Sequence, residues 1–142
     1  MLEMFWQLVL ATLLGGLVGL EREFSRKEAG LRTYALASLG AAFFTIIAFE
    51  SIKLFAGFTG FDPSRIIGQI VLGIGFIGAG SIIHREFHIS GLTTAAGLWI
   101  TAAIGTAVGI KLYMPAIFAA ILAILVLAVL RPVEEKFIKG KE

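Results

Sequence analysis

The sequence predicts an all-α protein, an integral membrane bundle of five transmembrane helices. Apolar residues fill 58% of the 142 positions and charged residues 15%, and the mean hydropathy is +0.92. A soluble domain holds roughly 45–50% apolar and about 25% charged residues. The apolar residues also fall in unbroken runs, and a helix needs about 20 of them to cross a bilayer. A transmembrane β-barrel would show short alternating strands instead. The same composition excludes disorder, which needs low hydrophobicity and high charge. Cysteine is absent, which removes disulfides, thiolate metal sites and cysteine nucleophiles together. The net charge of +2 is small and the basic residues sit at the ends of apolar runs, so there is no nucleic-acid footprint.

The five expected spans are about 4–20, 33–49, 66–83, 92–110 and 112–130, which gives a transmembrane domain over 1–131 and a short cytoplasmic tail over 132–142. The first run carries no charge, and Glu3 is the only charge before it. A secretory signal would have a basic n-region there, so this run reads as a retained helix. Residues 21–32 form a charged connection, and the second span extends toward Phe55. Residues 50–65 contain Gly57, Gly60 and then Asp62-Pro63. Asp62 offers a side-chain acceptor and Pro63 a fixed φ, a start signal for helix three. Residues 84–91 read as a short polar loop. Near Lys111 the chain barely pauses before Pro115, which is tolerated at a helix start because its missing N–H is not needed there.

Basic residues in the connections set the orientation. With the N-terminus outside, the inner side holds Arg22, Arg26, Lys27, Arg32, Arg85, Arg131, Lys136, Lys139 and Lys141. The outer side holds Lys53, Arg65 and Lys111. The expected topology is therefore N-terminus outside and C-terminus cytoplasmic.

Helices in lipid associate by close approach, and small residues permit it. Helix one has Gly15 and Gly19. Helix four has Thr93, Gly97, Thr101, Gly105 and Gly109, a small residue at every fourth position. These stripes read as packing faces. Helix three carries Gly68, Gly73, Gly75, Gly78 and Gly80, which puts glycine on several faces. It is either crossed on several sides or locally unwound beside an ion pathway. The letters of 73–78 match G-x-G-x-x-G, but a nucleotide site needs a strand–turn–helix context rather than a membrane span.

Polar residues in or beside the spans are few. Glu21, Arg22 and Glu23 close helix one, and Arg32 and Thr33 open helix two. Thr93 and Thr94 open helix four, and Gln69 lies one turn beyond Arg65 on the same side of helix three. The bland reading is interfacial anchoring, since charges at helix ends reach water by snorkelling. The sharper one is a functional polar cluster of Glu21, Arg22, Arg32, Thr33, Arg65, Gln69, Thr93 and Thr94. Within it Arg32 is expected to meet Glu21 or Glu23, while Arg22 turns to lipid phosphates. His84 and His88 flank Glu86 at a spacing that would bring two imidazoles together on a helix. No third ligand is in view, so a solvated loop is the expectation, with no metal site and no cofactor. No serine–histidine–carboxylate arrangement is visible, and an enzyme is not expected.

Three blocks of residues together carry a family resemblance. The first is Gly19-Leu20-Glu21-Arg22-Glu23 with Ala29-Gly30-Leu31-Arg32-Thr33 and Leu39-Gly40-Ala41-Ala42. The second is Asp62-Pro63-Ser64-Arg65, then Gln69-Ile70-Val71 and Gly73-Ile74-Gly75-Phe76-Ile77-Gly78-Ala79-Gly80. The third is Gly91-Leu92-Thr93-Thr94-Ala95-Ala96, Trp99 and Ala102-Ala103-Ile104-Gly105. The chain resembles the MgtC/SapB membrane proteins in their short, membrane-only type. The resemblance implies a bacterial cytoplasmic-membrane protein linked to magnesium homeostasis, and control of other membrane machinery, ATP synthase included.

Two function classes follow. One is a non-enzymatic regulator working through helix contacts, motivated by the small-residue faces. The other is a transporter or channel for a cation such as Mg²⁺. A magnesium path should offer carboxylate or carbonyl oxygens. The spans hold no mid-membrane Asp or Glu, only Gln69, Thr45, Ser81, Thr101, Thr106 and glycine carbonyls. Besides the lipid bilayer, the expected partner is a second copy, a homo-oligomer and most simply a dimer, joined through the glycine faces of helices one, three or four.

Overall fold

A computed structural model describes residues 1–54, 62–85 and 88–137. Phe55, Gly57, Gly60, Glu86, Lys139 and Lys141 lie outside the described residues, as do the side chains of Arg85, His88 and Lys136. The elements are α1 (Leu2–Phe24), α2 (Leu31–Leu54), α3 (Pro63–Gly80), β1 (Ile83–Arg85), β2 (His88–Ser90), α4 (Leu92–Gly109) and α5 (Tyr113–Phe137). All five helices are long and apolar enough to cross a membrane.

The helix ends depart from the expected spans for local reasons. The α1 helix runs on through Glu21–Glu23, where charge does no harm at a helix end, and the Ser25 N–H closes it on the Glu21 carbonyl at 2.9 Å. The charged connection is therefore short, over 25–30. The α2 helix starts at Leu31, whose N–H is accepted by the Glu23 carboxylate at 3.0 Å. Gly30 leaves the room for that carboxylate, since a Cβ there would collide with Glu23 Oε2. The α3 helix begins where Asp62-Pro63 signals it, with Asp62 Oδ1 accepting the Ser64 N–H at 2.9 Å. It stops at Gly80, three residues short of the expected end, and runs unbroken.

The expected polar loop over 84–91 contains a small antiparallel hairpin instead. Its register pairs Ile83 with Ser90, His84 with Ile89 and Arg85 with His88. The β-branched Ile83 and Ile89 suit a strand, which the polar residues between them masked. His84 and His88 are thus not neighbours on a helix. The α4 helix opens at Gly91, whose φ of +88° is open to glycine at no steric cost. The α4–α5 turn places Lys111 at φ +66°, and the Leu112 N–H reaches back to the Ala107 carbonyl at 2.8 Å. The α5 helix continues past Pro132 to Phe137, so part of the expected tail is helical.

The second helix is the centre of the bundle, packed between α1 and α4. Gly15 and Gly19 lie on α2: a Cβ at Gly15 would come within 2.5 Å of Ser38 Cβ, and one at Gly19 within 2.7 Å of Tyr34 Cβ. From the other side Gly97 sits on the Tyr34 hydroxyl, Gly105 on the Ser38 backbone and Gly109 on Thr45. The fifth helix adds Ala116, Ala120, Ala123 and Leu127 to the core. The third leans on α4 through Ile74 and Gly78 and meets α2 along a cleft lined by Leu36, Ala37, Gly40, Phe44, Gln69 and Gly73.

Candidate functional site

Each central helix turns one face inward with three- and four-residue steps. On α1 that face is Gln7, Ala11, Leu14, Val18 and Arg22; on α2 it is Tyr34, Ser38, Ala41 and Thr45; on α4 it is Thr94, Leu98, Thr101, Gly105 and Val108. Polar side chains sit on all three faces, so a polar seam runs the length of the α1–α2–α4 contact. At one end Gln7 donates through Nε2 to the Val108 and Gly109 carbonyls, both at 2.9 Å, which satisfies acceptors that a helix C-terminus leaves open. Thr45 Oγ1 donates to the Ala41 carbonyl at 2.7 Å. Ser38 and Thr101 are fully buried, and neither hydroxyl has a partner among the described residues.

The charged end of the seam is the candidate site. Arg22 continues the α1 inner face one turn beyond Val18, so its guanidinium is carried inside and is only 3% exposed. Nη2 lies 3.5 Å from Thr94 Oγ1, and Nη1 lies 3.5 Å from Glu21 Oε2. Glu21 is 12% exposed, and its other oxygen accepts from Ser25 Oγ at 2.7 Å. The buried Tyr34 hydroxyl donates to the Thr94 carbonyl at 3.1 Å, which ties α2 to the first turn of α4. Arg22 Nε and Glu21 Oε2 have no hydrogen-bond partner among the described residues. An arginine brings five donors in a rigid fork, and here most are left to one carboxylate at long range and one hydroxyl. Buried charge in this condition is costly, which singles out this end of the seam.

The expected eight-residue cluster divides. Glu21, Arg22 and Thr94 come together, joined by Tyr34. Arg32, Thr33 and Thr93 lie at the same end of the bundle but are exposed. The expected pairing of Arg32 is corrected: Glu21 turns to Arg22 and Ser25, and Glu23 caps Leu31. Tyr34 takes the inward position at the start of α2, and the two residues before it are thrown outward. Arg22 is corrected in the same way, since it is buried rather than turned to lipid phosphates. Arg65 and Gln69 are exposed near the opposite end, on α3. Sequence reasoning missed Gln7, Tyr34 and Ser38. The signal was present in the repeat of small and polar residues along α1 and α2.

Outside the spans, the opposite end is held by charge. Lys111 Nζ donates to Glu3 Oε2 at 2.8 Å, and that carboxylate raises the lysine pKa. Asp62 is held below the usual carboxylate range, chiefly by the hydrogen bonds from Ser64. Among the described residues no group of three His, Asp or Glu side chains is placed to hold a metal.

Comparison with known proteins finds the MgtC family model matching residues 8–136. The chain is 45% identical over 130 residues to the putative magnesium transporter YhiD of Escherichia coli K12, covering 89% of this chain and 60% of that protein. It is 48% identical over 122 residues to protein MgtC of Brucella abortus strain 2308, covering 86% of this chain and 49% of that one. An uncharacterized protein of Haemophilus influenzae Rd is 38% identical over 144 residues, covering 99% and 60%. The chain thus spans about half to three fifths of the length of these relatives. No solved structure matches.

Proposed function

This chain belongs to the MgtC family, and on that premise we propose that it is a non-enzymatic regulator of bacterial membrane machinery, linked to magnesium homeostasis and acting through helix contacts. The five apolar helices make it a multi-pass membrane protein. The reading places it in the cytoplasmic membrane with the Arg22 end inside, supported by nine basic residues on that side against three on the other. The observation that carries the regulator reading is the close backbone packing of the centre. Gly105 rests on the Ser38 backbone and Gly19 on the Gly30 carbonyl and Leu31 Cα. Mg²⁺ keeps several waters and needs oxygen ligands around it, and α3 is an unbroken helix whose carbonyls are engaged.

Transport of a cation is the second reading. It is favoured by the polar seam, and the E. coli relative is named as a magnesium transporter. One experiment separates the two. Purified protein in liposomes is tested for Mg²⁺ flux, and the same gene is tested for growth at limiting Mg²⁺ in a strain lacking its own copy. The regulator reading expects growth rescue without flux above empty liposomes. Flux that scales with protein and falls on Thr101→Val would replace it with the transport reading.

A further inference from the structure

We propose that the groove between α1 and α5 is a binding site for one phospholipid whose headgroup carries a primary ammonium, with Glu21 and Arg131 as its two charged contacts. The groove holds about 560 Å³, and ligand sites occupy roughly 300–1,000 Å³. It runs from Leu17 to Ser25 on α1 and from Ile124 to Pro132 on α5, about 12 Å along each helix. Its lining changes along that length. Leu17, Leu20, Ile124 and Ala128 line the part nearer the middle of the bilayer. Glu21, Ser25 and Arg131 line the part nearer the helix ends. Apolar walls at hydrocarbon depth and charge at headgroup depth match an amphiphile lying along the membrane normal.

The polar end selects the headgroup. Glu21 is 12% exposed, and its contact with Arg22 is long, at 3.5 Å. Its Oε1 accepts from Ser25 Oγ at 2.7 Å, and its Oε2 has no hydrogen-bond partner among the described residues. Ser25 Oγ has given its proton to Glu21 and can only accept from a further group. The α1 wall therefore offers acceptors, whereas the guanidinium on the α5 wall only donates. A head that meets both walls needs a donating cation and an accepting anion close together. A primary ammonium suits Glu21 and Ser25, and the phosphate beside it suits Arg131. A quaternary ammonium has no N–H to give, and a glycerol head brings no cation. The lipid ammonium then shares Glu21 with the buried Arg22, which makes the charged end of the seam responsive to the lipids around it.

Binding is read on the purified chain and growth is not its readout, so the site and the regulator reading fail separately. The protein is reconstituted with phospholipids of identical chains bearing ethanolamine, choline or glycerol heads. Lipid retained on the intact 15.2 kDa chain is then measured by native mass spectrometry. The expected result is one retained lipid, with the ethanolamine head favoured about tenfold over the other two, the size of one charge-assisted hydrogen bond. Glu21→Gln with Arg22→Met removes the carboxylate without stranding the guanidinium, and should abolish the preference. Arg131→Gln should lower retention of all three heads alike. Ala128 is exposed, so Ala128→Phe fills the groove from outside and should release every lipid with the melting temperature unchanged. Equal retention of the three heads, a preference for glycerol, a preference that survives the double variant, or retention untouched by Ala128→Phe would each overturn the proposal. So would a groove closed by a second copy, seen as a dimer that Ala128→Phe breaks in place of a lipid adduct.

Discussion

The sharpest test of the buried charge is removal of Arg22. The two charges are 3.5 Å apart, with 3% and 12% of the side chains exposed. At an effective dielectric of about 20 their attraction is about 5 kcal/mol, which desolvation of both ions largely offsets. Forming the pair therefore adds little, whereas breaking it strands a carboxylate. Arg22→Ala is expected to destabilise the bundle by about 3–5 kcal/mol, toward the lower figure because Glu21 retains some solvent. A double variant, Glu21→Gln with Arg22→Met, keeps the volume and removes both charges, and should return to within about 1 kcal/mol of the parent. Unfolding is followed in detergent by loss of the monodisperse species on heating, and function by growth at limiting Mg²⁺. The double variant is expected to be stable and not to support growth. If Arg22→Ala is as stable as the parent, the guanidinium is not buried against Glu21. If the double variant grows normally, the cluster serves stability alone.

Three further outcomes follow from named contacts. Gly105→Ala would drive a methyl into the Ser38 backbone and should destabilise by about 1–3 kcal/mol, while Gly75→Ala, open on all sides, should leave thermal stability unchanged or slightly raised; equal losses would reject the packing. Thr101→Val replaces a buried hydroxyl that has no partner among the described residues and should be neutral or stabilising by about 1 kcal/mol, so a clear loss of melting temperature would mean that the hydroxyl is bonded. Asp62 has a depressed pKa, so its contribution is present above its unfolded value, about 3.9, and is lost as pH falls through the folded value; Asp62→Ala should flatten the acid limb of the stability profile, and an unchanged limb would assign that limb to other groups.

The sequence made the helices plain because lipid-crossing runs are long and uninterrupted, and Asp62-Pro63 marked a helix start that the fold reproduces. It did not reveal which residues face inward. In a soluble helix the apolar stripe marks the core, but in lipid both faces are apolar, so Leu13 and Leu17 on the outside read like Leu14 and Val18 on the inside. Small and polar residues are the informative ones. Their spacing along α1 runs through Gly15 and Gly19, with Gln7 and Arg22 as its two polar ends, and would have placed Arg22 inside. Arg32 misled because its expected partners are engaged elsewhere, Glu21 with Ser25 and Arg22 and Glu23 with the Leu31 N–H. The inward place on α2 is set by the face that Tyr34 shares with Ser38, Ala41 and Thr45 at three- and four-residue steps, and Arg32 lies about 200° round the helix from Tyr34.

The same logic separates α3 from its neighbours. Where α1, α2 and α4 meet, glycine brings backbones together and hydroxyls replace bulk, so the interior is built from the residues that lipid would reward least. Large side chains are turned outward, as Phe5, Phe44 and Phe118 are. If α3 obeyed that rule with the chain alone, its glycines would lie on α4 and its outer face would be uniformly bulky. Only Gly78 does so, at 3.4 Å from Ala95 Cβ. The other four glycines and Gln69 keep the character of an interior while facing outward. Gln69 and Gly73 line an open cleft against Leu36, Ala37, Gly40 and Phe44 of α2, so α3 leaves unspent the small residues that α1 and α4 use to bring their backbones onto α2.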